Sequence, residues 1–171
     1  MGLQSQYIWH QSCINVMAIL GFCTSAYALY VELKSDEDEQ YKPLCDLHEK
    51  ISCSKAFMSK WGRGYGIIGP ILGENHPVNL RNPIPGMMFY VLIITLAFFQ
   101  NIVCAKALKL LVIISNFASI YLALILYFGV ESLCVVCVTI YVINFVLLLL
   151  SGIQGNRSYT ACYPNMLSDE V

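Results

Sequence analysis

Charge is distributed along this chain in a way that few folds tolerate: residues 1–31, 82–105, 110–130 and 132–156 contain no Lys, Arg, Asp or Glu. A helix needs about 20 apolar residues, at about 1.5 Å rise each, to cross the hydrocarbon core of a bilayer. Each window is long enough. Over the 171 residues, 57% are hydrophobic and only 12% charged, about half the charge of an ordinary soluble domain. The sequence therefore predicts an all-α integral membrane protein, a four-helix bundle in a single domain. Its spans are expected at about 12–31, 87–103, 108–129 and 133–151, with one large loop at about 32–86. Ala26-Tyr27-Ala28 has the small-x-small form of a signal-cleavage site, but no basic residue precedes the apolar run, which favours an uncleaved first span.

Four spans put the loop after the first and the turn after the third on one side, so Cys45, Cys53, Cys134 and Cys137 share an edge of the bundle. Loop 32–86 holds seven Lys+Arg, against Lys106 and Lys109 in the loop after span two. Raw counting would place the large loop in the cytosol, but the positive-inside rule weakens for long loops. Cysteine chemistry decides for an oxidising lumen. Within the loop, the acidic run 35–39 reads as a solvated linker. Ile51, Phe57, Met58 and Trp61 have helical spacing ended by Gly62, which predicts a short helix lying over the bundle. Gly62, Gly64 and Gly66 read as a turn, and the apolar stretch 67–72 as an interfacial anchor. No basic cluster or zinc-finger spacing supports a nucleic-acid partner.

Of eight cysteines, Cys13, Cys23, Cys104 and Cys162 have no close partner in sequence and read as small apolar residues or a free tail thiol. Cys134-Val135-Val136-Cys137 is a C-x-x-C pair, which on a helix's first turn places both sulfurs on one side, where the dipole favours thiolate. By geometry it is a redox pair, with two helix-packing cysteines as the weaker alternative. At about 100° per residue, Tyr141 follows Cys137 on the same face. Its hydroxyl needs a partner at membrane depth, either another helix or a ligand carbonyl. Cys45 and Cys53 overlie that face, as a structural disulfide or as a pair that exchanges with Cys134.

These residues carry a family resemblance. Leu44-Cys45-Asp46, Ile51-Ser52-Cys53-Ser54, Ser59-Lys60-Trp61-Gly62-Arg63-Gly64-Tyr65-Gly66, Asn82 with Phe89-Tyr90, Ile120-Tyr121-Leu122-Ala123, and Cys134 to Cys137 with Tyr141 and Asn144 resemble the vitamin K epoxide reductases over about residues 27–148. The resemblance implies a quinone pocket inside the bundle, with Cys134 and Cys137 as the catalytic pair and Cys45 and Cys53 as an electron relay. It implies that Asn82 and Tyr141 hydrogen-bond the substrate's ketone oxygens and that Phe57 lines or closes the pocket. It implies a multi-pass protein of the endoplasmic reticulum membrane that takes vitamin K quinone or epoxide as substrate, with no bound cofactor and no metal. The expected partners are membrane lipid and a separate thioredoxin-like luminal protein as electron donor. Pro85 stands where vertebrate members usually carry an aromatic. A quinone-dependent disulfide-forming oxidase of the same family is the nearest alternative reading, and a claudin-like four-span structural protein a remote one.

Overall fold

A computed structural model describes residues 3–162 except 39, 49, 74, 75 and 100, with side chains from residue 9 to 152. The described residues are helical, without a strand beyond isolated bridges. In chain order they form α1 (Leu3–Glu37), α2 (Cys53–Met58), a 3-10 turn at Gly64–Gly66, α3 (Ile68–Leu72), α4 (Pro83–Phe98), α5 (Ile102–Ile125), which continues as a π-helical turn Leu126–Val130, and α6 (Val135–Cys162). Among the described residues, three segments are long and apolar enough to cross a membrane: Trp9–Glu37, Ile102–Val130 and Val135–Gly152. The fourth apolar helix, α4, has 16 residues, about 24 Å at the ordinary rise.

The helix bounds depart from the expected spans for local reasons. Proline lacks an N–H that the first turn does not use, so Pro83 and Pro85 open α4 four residues before the expected start at 87. The Asn101 side chain accepts the Cys104 N–H at 2.7 Å and caps α5, so that helix begins at Ile102 rather than 108. Glu131, in the left-handed region at φ 51°, ends the π turn and throws the chain back toward α6.

Helix α1 packs against α4 and α6, and α5 against α6 and more lightly α4. Ile14, Ala18, Tyr90, Ile93, Leu108, Val112 and Leu147 form the core at one end. A second cluster around Ala28, Val31, Phe57, Leu126 and Val136 holds Cys45, Cys53 and Cys134 at the other. The contact of α1 with α4 is close: a Cβ on Gly21 would lie 2.3 Å from the Tyr90 ring. The acidic run, expected as a linker, is instead mostly the last turn of α1. Ser35 is buried, and Asp36 takes Arg63 at 3.3 Å as well as Arg81, which also pairs with buried Glu32 at 3.2 Å. Glu39 lies outside the described residues.

Candidate active site

A single backbone pairing brings the two cysteine pairs together. The Leu133 N–H donates to the Lys50 carbonyl at 2.8 Å and the Ser52 N–H to the Leu133 carbonyl at 3.0 Å, a parallel bridge between residues 82 positions apart. The residues that follow on each strand of this bridge are Cys53 and Cys134. Both are fully buried, and their thiols interact with each other.

From there a continuous path of sulfur runs both ways. Outward, the Cys53 thiol meets Cys45, with its Sγ 3.8 Å from the Cys45 carbonyl oxygen, and Cys45 in turn contacts the Tyr27 hydroxyl. Inward, Cys134 meets Cys137, whose backbone N–H donates to Cys134 Sγ at 3.3 Å. All four are free thiols. The α6 amides at the head of the helix thus point at sulfur: Val136 N–H at Cys53 and Cys137 N–H at Cys134. Such donors favour thiolate. Burial works against them in the loop pair. It pushes the Cys45 thiol up to about 12, with the adjacent Cys53 adding to the effect. The Cys53 thiol is raised further, first by its interaction with Cys134 and then by burial.

Asp46 fastens this arrangement. Its Oδ1 accepts the N–H groups of Cys53 at 2.5 Å and Ser54 at 3.1 Å, and its Oδ2 accepts the Ser54 hydroxyl. Partial burial raises its pKa, but the donors of Ser54 and Cys53 outweigh that and hold the carboxyl below the usual range. The carboxylate therefore sits at the head of α2 as its anion cap and ties the segment carrying Cys45 to the helix carrying Cys53.

Beneath α2 lies an apolar cavity of about 270 Å³ between the helices. Cys137, Tyr141, Asn82, Phe57 and Pro85 all line it, with Trp61, Tyr65 and Phe89. Cys45, Cys53 and Cys134 do not reach its wall. Among the described residues the Tyr141 hydroxyl has no hydrogen-bond partner, although it lies within electrostatic reach of Cys137. Asn82 is more committed: its Oδ1 accepts the Tyr65 N–H at 2.9 Å and its Nδ2 donates to the Trp61 carbonyl at 2.7 Å. One amide proton remains. The glycine turn makes these bonds possible. Gly64, Tyr65 and Gly66 all hold positive φ, and the Gly66 position would set a Cβ 2.0 Å from the Trp61 ring.

Two features carry no sequence signal that would have assigned them. Asp46 stands beside Cys45, but its role depends on a fold-back over seven residues. Deeper in the cavity, Tyr90 O–H donates to Asn144 Oδ1 at 2.9 Å and Asn144 Nδ2 to Ser119 Oγ at 2.9 Å, joining α4, α6 and α5 through one buried chain. The unpaired cysteines Cys13, Cys23 and Cys104 do not line the cavity, and the Cys162 side chain lies outside the described residues.

Apolar helices long enough to span a bilayer, with a buried chain of thiols leading to an apolar chamber, make up a membrane protein equipped for thiol redox chemistry. Residues 12–151 match the Vitamin K epoxide reductase family. Vitamin K epoxide reductase complex subunit 1 of Mus musculus is 40% identical over 135 residues, which cover 79% of this chain and 84% of the relative. The same subunit of Rattus norvegicus is 39% identical with the same coverage. The chain belongs to the vitamin K epoxide reductase family and is an oxidoreductase. The family match removes the claudin-like reading.

Proposed function

We propose that this protein reduces vitamin K epoxide, vitamin K quinone or both, in a four-span bundle of the endoplasmic reticulum membrane whose cap faces the lumen. The observation that carries the reading is the unbroken sulfur path from Cys45 through Cys53 and Cys134 to Cys137, the one member that opens on the cavity. The Cys137 thiolate attacks the substrate carbon while Tyr141 O–H and the remaining Asn82 amide proton hydrogen-bond the oxygen that gains charge. Cys134 then displaces the adduct. Each turn oxidises two thiols to one disulfide: the epoxide leaves as quinone and water, or the quinone as hydroquinone. Cys53 attacks Cys134 to restore the dithiol, Cys45 takes over the disulfide, and a thioredoxin-like luminal protein reduces it. Phe57, on α2, closes the chamber from above, where the apolar walls exclude water and dissolve a prenyl tail.

The test separates nucleophile from relay. In membranes supplied with dithiothreitol and each substrate, Cys134→Ala and Cys137→Ala are expected to abolish turnover, whereas Cys45→Ala and Cys53→Ala retain it. Near-normal activity of Cys137→Ala would refute the covalent step.

A further inference from the structure

We propose that the reduced cap holds a site for a thiophilic divalent cation, Zn²⁺ being the probe of choice, formed by Cys45 Sγ, Cys53 Sγ and an Asp46 carboxylate oxygen. These three ligand atoms lie within 4.8 Å of one another. Two sulfurs and one oxygen bound tetrahedrally to zinc at about 2.3 and 2.1 Å would stand roughly 3.5 to 4 Å apart, so a small inward movement of side chains completes the shell. The donor set is of the thiolate and carboxylate type that zinc accepts, and three protein ligands leave the fourth position for water.

The surroundings suit an ion. Asp46 is held in place by the Cys53 and Ser54 N–H groups and the Ser54 hydroxyl, which is the outer support that orients a metal-binding carboxylate. Cys53 is fully buried and Cys45 nearly so, while Asp46 stays partly exposed, in keeping with a single solvent ligand on the ion. Charge balances as well. Binding releases one proton from each thiol to solvent, and two thiolates, one carboxylate and Zn²⁺ carry the same net single negative charge as two thiols and one carboxylate. No oxidation state changes. The site exists only in the dithiol form, because a Cys45–Cys53 disulfide leaves no thiolate to bind. It is thus a cation site gated by the redox state of the cap.

The full-length protein in detergent, reduced with a phosphine that does not chelate metal, should bind one Zn²⁺ per chain by equilibrium dialysis and elemental analysis. Bound zinc should protect Cys45 and Cys53 from alkylation, read by peptide mass spectrometry. Cys45→Ser and Cys53→Ser should each lose that equivalent, and Cys23→Ser and the Cys134→Ser/Cys137→Ser double variant should keep it. Asp46→Asn should bind at least about tenfold more weakly. Since Asp46 also caps α2, the wild-type chain oxidised with diamide gives the same answer without a substitution: zinc should be released as the Cys45–Cys53 disulfide forms. Zinc that persists in Cys45→Ser, that protects Cys134 and Cys137 instead, or that never exceeds the amount on Cys45→Ser would overturn the site.

Discussion

At the scale of single residues, the two thiols of the cap are held neutral by their surroundings, and this has a measurable consequence. Because Cys45 is shifted up to about 12 by burial, its thiolate fraction climbs about tenfold with each pH unit across the whole range where an ordinary thiol, near 8.5, has already levelled off. Its alkylation rate by iodoacetamide in the folded protein should therefore still be rising at pH 10. A plateau near pH 9 would show that the burial is not felt. Folding linkage has the same sign. The unfolded chain releases this proton at the ordinary value and the folded chain holds it to about 12, so the thiol costs stability as pH rises through that interval.

Tyr141 makes the complementary case. A phenol that faces a cavity without a protein partner among the described residues has its hydroxyl available for a ligand, as the proposed substrate contact requires. Tyr141→Phe keeps the ring and removes one donor to a developing oxyanion, so kcat for the quinone should fall by a factor on the order of 10². Unchanged kinetics would return Tyr141 to packing. The position of Tyr141 on the face of Cys137 was legible from helical periodicity alone. The double engagement of Asn82 was not, because it depends on where the glycine turn sends two backbone groups 17 and 21 residues upstream.

At the scale of elements, the cap is positioned by turns rather than by a large core. The 3-10 turn presents Trp61 to the cavity and the Tyr65 N–H to Asn82, and it does so with Gly66 at φ 69° under the Trp61 ring. Gly66→Ala meets both obstacles: backbone strain of about 1–2 kcal/mol and an indole that must leave its place in the wall. Gly73, at φ 101°, has nothing near its missing Cβ, so Gly73→Ala meets strain alone. Gly66→Ala should lose quinone affinity while Gly73→Ala, destabilised by its own backbone strain, keeps it. Equal affinities in the two variants would mean that Trp61 does not shape the chamber. The sequence marks this segment as a turn through its alternate glycines, and the short helix through its apolar spacing. It does not mark the bridge from Lys50 and Ser52 to Leu133, since pairing across so long a separation leaves no local pattern.

At the scale of the whole molecule, the charge-free windows predict helix order, and four crossings, with their three reversals of direction, would put the four cysteines on one edge. The structure places Cys45, Cys53, Cys134 and Cys137 together at one end. Which compartment this end faces depends on span number, and α4 is the helix on which the count turns, since its 16 residues are fewer than a straight crossing of about 30 Å demands. Its flanks make up the difference if the bilayer thins locally or the helix ends are extended by neighbouring apolar residues, and Phe98 and Phe99 at its end are exposed as such an extension would be. The count can be tested with a reporter the chain already carries. Asn156-Arg157-Ser158 is an acceptor sequence for N-glycosylation, and its side chains lie outside the described residues. Four crossings with the cap in the lumen leave it in the cytosol, so it should stay bare in cells. A second acceptor sequence inserted after Asp38, beyond the last turn of α1, should be glycosylated, because the same topology puts that point in the lumen. Sugar at Asn156 with none at the insert would place both cysteine pairs on the cytosolic side, where a standing pool of reduced glutathione and thioredoxin leaves a dedicated luminal donor without purpose. Sugar at both would mean that one apolar helix fails to cross, and α4 would be that helix.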